Sequence, residues 1–453
     1  MDKILTLRSL RVDKEYLVEL ITDFQNVVFR TQGIERYCES EIFATIGSKP
    51  IKIISGFRRV GKSHLARRIA LRAVREKLYL DKNVLFLNFE HFGLQNACNP
   101  GALNEIYKLF CSTVADNGQR KLLIFDEIQR VVDWDKFIRT LYEMYGDEIE
   151  IILTGSNSEL LSAEIGSNLA GRFIEFQLLP FSFSEYLTYN SSSVSDKNEL
   201  RVNRAKIENM FSSYMRTGGL PETLTISEEG ARYSYLQGVF SKVILDDVIE
   251  RFRVRNVGSL EKIFQYIVVN SGNVLSIAQI TKYLRYMDND IKQNTVLAYV
   301  EMIKKTFALF EVSRFDWKLK KIFDVTKKYY CIDTGLVNSF AHNERNSAKL
   351  LESIVFIELL RRGGKISFVS FSNKKEIDFI TRAMNGRYTK YQVTLQLTEE
   401  NFPRETSAFF QDEEHLDKAD NVLLFLSRDK NVDINTPNNI NFCDLIIWLL
   451  DIK

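Results

Sequence analysis

Over the first 180 residues, short apolar runs alternate with stretches in which apolar residues recur every three or four positions. Ile51-Lys52-Ile53-Ile54-Ser55, Asn83 to Glu90, Lys121 to Glu127, Glu148 to Gly155 and Arg172 to Phe176 read as strands. Ser63 to Lys77, apolar at Leu65, Ile69 and Ala73, reads as a helix. Strands that are apolar on both faces and separated by helices predict a parallel sheet covered on both sides. Ligands of such sheets bind at the carboxyl edge, where Gly56, Glu90, Asp126 and Thr154 all fall. The pattern changes after residue 255. Three helical stretches (260–269, 277–284 and 293–305) precede two strand-like pieces, 309–312 and 321–325. Further on, 350–360 reads as a helix, and 375–380 and 391–397 as strands.

The first strand opens into Gly56-Phe57-Arg58-Arg59-Val60-Gly61-Lys62-Ser63, which is G-x-x-x-x-G-K-S and predicts a phosphate-binding loop. The two glycines let the backbone close around phosphate oxygens with its N–H groups pointing inward, and the following helix adds its positive end. Lys62 is then placed to reach the β- and γ-phosphates of ATP, and the Ser63 hydroxyl to bind Mg²⁺. The residues expected to contact nucleotide are those from Gly56 to Ser63, together with His64. The strand 121–127 ends in adjacent acids, for which folding alone gives no reason. A divalent cation gives one: Asp126 would hold Mg²⁺ through its water shell, and Glu127 would polarise the water that attacks the γ-phosphate. The chain contains no convincing N-K-x-D guanine-reading motif, so ATP rather than GTP is expected.

Composition narrows the setting. At 453 residues the chain is longer than one core usually organises, and about three domains are expected. Sixty-one Lys and Arg against 59 Asp and Glu leave a net charge of +2, so any nucleic-acid surface must be local. Five scattered cysteines without C-x-x-C spacing argue for a reducing compartment and against a zinc site. The longest apolar runs are far short of a membrane span, so no membrane partner and a cytoplasmic location are expected.

Taken together, S-G-F-R-R-V-G-K-S (55–63), L-I-F-D-E-I-Q-R (123–130), I-L-T-G-S-N-S-E-L-L (152–161), L-A-G-R (169–172), L-P-F-S-F-S-E-Y-L (179–187) and G-G-L-P-E (218–222) resemble a known family. It comprises bacterial and archaeal AAA-type ATPases with a C-terminal domain of unknown function related to restriction endonucleases. The resemblance implies an α/β fold with an AAA-like P-loop core (1–180), a helical lid (181–255), a winged-helix domain (256–330) and a restriction-endonuclease-like domain (331–453). It also implies that Thr154, with Ser156 and Asn157 as near alternatives, senses the γ-phosphate. Arg172 is the implied finger reaching a phosphate in its own or a neighbouring subunit, or else a residue that pairs near a helix end. Pro221, in Gly219-Leu220-Pro221, is the implied nucleotide contact of the lid.

The spacing of 256–330 is that of a winged helix. Between Val312 and Tyr330, Arg314, Lys318, Lys320, Lys321, Lys327 and Lys328 stand against Asp316 and Asp324, and Lys292 to Thr295 open the third helix. Duplex DNA is one expected partner of this surface, and packing against a protein is the other. In the C-terminal stretch Glu352, Asp378 and Gln392-Val393-Thr394 follow the order of a nuclease's metal-binding acids and E-x-K. An amide replaces the second acid and a threonine the lysine, with Lys390 a candidate substitute, so a degenerate nuclease is expected. The function expected is a Mg²⁺-dependent ATPase acting as a nucleotide-driven switch, capable of oligomerising. The alternatives are a non-hydrolysing ATP-bound scaffold and a Mg²⁺-dependent nuclease.

Overall fold

The fold was obtained as a computed structural model that describes residues 14–158, 169–254, 256–286, 291–315, 326–341, 346–371, 375–383, 385–411, 419–434 and 439–452. The chain divides into two compact units, Met1–Leu178 and Leu179–Lys453.

The first unit is a five-stranded sheet of β1 (Ile51–Ser55), β2 (Val84–Asn88), β3 (Lys121–Asp126), β4 (Ile149–Gly155) and β5 (Phe173–Gln177). Its order is β2-β3-β4-β1-β5 and every pairing is parallel. β1, β3 and β4 are buried along their whole lengths, as continuous apolar runs require, whereas β5 at the edge is only partly covered. The helices are α1 (Lys14–Phe29), α2 (Glu39–Ala44), α3 (Lys62–Arg75), α4 (Pro100–Thr113) and α5 (Trp134–Tyr145). Because β4 lies between β1 and β3, its tip separates the loop after β1 from the acids at the end of β3. One polar residue breaks the apolar run of β1. Lys52 is fully buried and pairs with Glu150 of β4, which also accepts from Tyr79 at 3.2 Å and from the Gly47 N–H at 2.9 Å.

In the second unit the helices are α6 (Phe183–Tyr189), α7 (Lys197–Thr217), α8 (Glu229–Lys242), α9 (Val257–Val269), α10 (Ile277–Arg285), α11 (Gln293–Lys304), α12 (Thr334–Phe340), α13 (Ser347–Arg361), α14 (Phe402–Ser407) and α15 (Leu445–Leu450). Sequence punctuation explains two of their starts. Ser182 with Glu185, and Ser276 with Gln279, form reciprocal capping boxes on α6 and α10. The strands are β6 (Val274–Ser276), β7 (Leu309–Arg314), β8 (Thr326–Cys331), β9 (Lys365–Ser370), β10 (Glu376–Arg382), β11 (Tyr388–Leu397), β12 (Asp420–Arg428) and β13 (Asn441–Asp444). They form one mixed sheet in the order β13-β12-β11-β10-β9-β7-β8-β6, and α13, buried along nearly its whole length, packs against it.

This single sheet corrects the expected boundary at residue 330. β8 runs across that position, and β7 pairs with β9 through Ser313–Ser367 and Arg314–Phe368, so 256–330 and 331–453 share a continuous hydrogen-bonded framework. The strand expected at 321–325 lies outside the described residues, as do Lys318, Lys320 and Lys321. The other basic residues of that segment are all engaged. Arg314 donates to the Ser370 carbonyl, Lys327 donates to Ser313 at 3.0 Å, and Lys328 is buried, so these three are not free charges for a DNA backbone.

Candidate active site

The loop after β1 closes because its backbone adopts conformations suited to glycine at two positions. Gly56 has φ of 149° and lies so close to the Leu178 carbonyl that a side chain would collide with it. Gly61 has φ of 103° and caps α3. Arg59 is also left-handed, at φ 66°. Arg36 donates to the Val60 carbonyl at 3.0 Å and ties the loop to the chain preceding β1. The His64 ring packs on Gly33 and bonds the Gln32 carbonyl. Burial holds its pKa below the usual range, opposed by that carbonyl.

Lys62 is buried at the mouth of the loop. Its ammonium lies 3.2 Å from the Phe57 carbonyl and 3.4 Å from Glu127 Oε1. Glu127 follows β3 in a left-handed conformation, φ 55°, which turns its carboxylate back toward the loop. The side-chain amide of Gln129 donates to its other oxygen at 2.5 Å and also reaches Ser156 at 3.3 Å. Burial opposes ionisation of Glu127, but Lys62, Gln129 and Arg58 outweigh it and hold the carboxyl below its usual range. Its neighbour behaves oppositely. Burial, and then the charge on Glu127, push Asp126 up to about 6, against the hydroxyls of Thr154 and Ser63 and the charge of Lys62.

The Thr154 hydroxyl donates to Asp126 Oδ1 at 2.6 Å and accepts the Glu127 N–H at 3.0 Å. It therefore fixes both acids, and Ser156 and Asn157, both fully buried in the same turn, stand beyond it. Asp126 Oδ2 is buried and has no hydrogen bond of ordinary geometry within the protein. The residues present fit a divalent cation at that point: a buried carboxylate oxygen without a hydrogen bond of ordinary geometry, on a group whose proton affinity is raised by burial and by the charge on Glu127, with Ser63 alongside. Behind the acids, Glu90 is held by Arg58 at 3.2 Å and by Arg130 at 2.8 Å.

Arg172 lies elsewhere. The Ile51 N–H donates to its carbonyl, so it sits where β1 begins, at the opposite end of the sheet from the loop. β1 has five residues, or about 16 Å at roughly 3.3 Å per residue. Its guanidinium pairs with Glu143 at 3.3 Å and lies over the Tyr142 ring. The expectation that Arg172 reaches a phosphate of its own subunit is corrected by this placement. Pro221 begins a single helical turn, Pro221–Thr225, in the second unit. The bend before it is anchored by Asp333, which accepts the Gly219 N–H at 2.6 Å.

Glu90 is placed at the carboxyl edge by the sequence, but its pairing with Arg130 is not, and neither Gln129 nor Arg36 is marked there as a site residue. Gln129 lay in plain view two residues after Glu127, whereas Arg36 stands 24 positions before the carbonyl it holds and gave no local signal.

Comparison with known proteins agrees with the geometry. Residues 48–187 match a family described as an AAA domain, and residues 208–347 a domain of unknown function (DUF8612). An uncharacterised protein of Methanocaldococcus jannaschii is 31% identical over 434 residues, covering 94% of this chain and 92% of its own. One from Haemophilus influenzae is 30% identical over 337 residues, covering 73% and 79%. Among solved structures, a Walker-type ATPase of Pyrococcus abyssi superposes with a TM-score of 0.47 at 16% identity, over 69% of this chain and 99% of that one.

Proposed function

The chain belongs to the archaeal and bacterial family of AAA-type P-loop ATPases, and from that premise we propose that it hydrolyses ATP with Mg²⁺ and uses the cycle as a switch. The observation that supports this best is the pairing of opposites at the tip of β3. Glu127 is kept ionised 3.4 Å from Lys62, while the Asp126 Oδ2 beside it is left without a partner. In this reading the N–H groups from Gly56 to Ser63 cradle the β- and γ-phosphates and Lys62 moves from Glu127 onto them. Ser63 and Asp126 would hold Mg²⁺, which supplies charge neutralisation of the phosphates when bound. Glu127, freed from Lys62 but still oriented by Gln129, takes a proton from the attacking water. Asn157 or Ser156 is the nearer candidate for contact with the γ-phosphate, because the Thr154 hydroxyl is committed to the acids. His64 completes the proposed nucleotide contacts within the first unit.

For the output we propose duplex DNA, met by a winged helix of α9 to α11 with the wing beyond. Lys292, Gln293 and Asn294 are exposed at the start of α11, where side chains of these types reach phosphates and base edges. A protein partner is the competing outcome. All five cysteines are free thiols, in keeping with a cytoplasmic location. Among the described residues no helix is long and apolar enough to cross a membrane. The test is phosphate release by purified protein with ATP and Mg²⁺, with and without duplex DNA. Turnover stimulated by DNA supports both parts, and turnover indifferent to DNA moves the output to a protein partner. Absence of phosphate release despite ATP binding favours the non-hydrolysing scaffold.

A further inference from the structure

The second unit brings three acids together: Glu352 on α13, and Glu376 and Asp378 on β10. Two of them occupy the helix and strand positions at which endonuclease-like folds hold a metal, but what surrounds them does not fit a divalent ion. Lys328 of β8, whose side chain is 1% exposed, points among them. Its ammonium donates to Glu352 Oε1 at 2.9 Å and pairs with Glu376, over the face of Phe368 at 5.4 Å. Lys349 donates to Glu352 Oε2 at 2.8 Å and to the Gly272 carbonyl at 3.0 Å, and the Tyr330 hydroxyl donates to Oε1 at 2.5 Å. Asp378 Oδ2 accepts the Val393 N–H at 2.9 Å. Gln392 instead donates its amide to Glu405 at 3.2 Å, and Lys390 reaches the Phe409 carbonyl at 3.4 Å, so Lys390 does not replace the missing lysine. Among the described residues no three His, Cys, Asp or Glu are arranged to hold a metal.

We propose that the Lys328 ammonium is the resident cation of this site, a covalently tethered replacement for the metal that the fold would otherwise carry. Lys328 and Lys349 together supply the two positive charges of one divalent ion. A buried carboxylate cluster is tolerable only when its charge is matched and its lone pairs are taken, and both oxygens of Glu352 are taken here. Burial and the charge on Glu352 push Asp378 up to about 7. Because Lys328 is fixed in the middle of β8 it cannot exchange with solvent ions. The site is therefore shut to Mg²⁺.

Electron paramagnetic resonance of free Mn²⁺, titrated with nucleotide-free full-length protein, tests this. Wild type and Asp378→Asn should deplete free Mn²⁺ equally, since any uptake at the phosphate loop is common to both. Lys328→Ala should take up one additional Mn²⁺ per chain, and the Lys328→Ala, Asp378→Asn double variant should lose it. Uptake by wild type in excess of Asp378→Asn would overturn the proposal, as would a folded Lys328→Ala protein with no extra uptake. Should Lys328→Ala not fold, the comparison of wild type with Asp378→Asn decides alone.

Discussion

Lys62 and Lys328 are both buried against acids, and they differ in what they leave open. Lys62 stands at the end of a glycine-flanked loop with contacts of 3.2 and 3.4 Å, and the Asp126 Oδ2 near it is unpartnered. Lys328 is held within a strand by Glu352, Glu376 and an aromatic face, and both oxygens of Glu352 are occupied. Each cluster contains one acid driven upward, Asp126 to about 6 and Asp378 to about 7. The residue types are nearly the same, but the first site has loose partners that a phosphate and a cation can replace, and the second has closed its charge internally. A basic residue among acids therefore marks an exchangeable site only when some hydrogen-bonding capacity remains unmet.

The sharpest break of the comparison is chemical. Glu127→Gln should retain ATP binding and lower phosphate release by roughly two to four orders of magnitude, as loss of a water-orienting base does. Wild-type turnover in that variant removes Glu127 from the role. Asp378→Asn, by contrast, should leave phosphate release unchanged.

The second contrast is in stability. Lys328→Ala strands buried carboxylates and should lower unfolding free energy by about 3–5 kcal/mol in denaturant titrations. It should leave the rise in Tm on adding ATP intact. Lys62→Ala should do the reverse with respect to ligand, abolishing the ATP-induced stabilisation, which for wild type is about 2.7 kcal/mol at a hundredfold excess over Kd. A Lys62→Ala protein still stabilised by ATP as much as wild type would show that Lys62 is not a nucleotide ligand.

What could be read in the sequence follows the same division. The loop and the Asp126-Glu127 pair were legible because their chemistry is contiguous and the parallel sheet places strand ends along one edge. Lys328 was not. In Thr326-Lys327-Lys328 the two lysines look alike, and both read as wing charges. Only the register of β8 with β6 and β7 decides that Lys327 meets Ser313 and Glu311 while Lys328 turns into the cluster. The split into two C-terminal domains failed for a related reason: pairing of β7 with β9 is non-local and leaves no mark in composition. Arg172 was recognised by its motif, but the motif does not say which end of the sheet it occupies.

pH gives a third and smaller test. Asp378 is raised in the folded state, so between about pH 4 and pH 7 the native protein holds a proton that the unfolded chain has released. Stability therefore falls as pH rises through that window and levels off above 7. Asp126 and Asp333, each pushed up to about 6, add to the lower part of the slope. The diagnostic interval is thus pH 6 to 8, over which Asp378→Asn should show a flatter decline in Tm than wild type. Parallel curves would mean that Asp378 is already ionised at pH 6 and that the cluster carries more negative charge than its two lysines balance.

The smallest effect expected is at Arg172. Its guanidinium is about one-third exposed, pairs with Glu143 at 3.3 Å and stands at the far end of β1 from the loop. An ion pair so exposed contributes at most about 1 kcal/mol, so Arg172→Ala should fold normally. In dilute protein, where each molecule works alone, its turnover should stay within about twofold of wild type, because no group at that end of the sheet touches the phosphates. A tenfold or greater fall under those conditions would put Arg172 at its own subunit's nucleotide and contradict the strand geometry. The informative measurement is turnover per chain across a concentration series. Should wild type accelerate with concentration and Arg172→Ala fail to, the arginine completes a neighbouring subunit's site. The exposed end of the sheet would then be the second open position in the molecule, one that a protein surface rather than a phosphate fills.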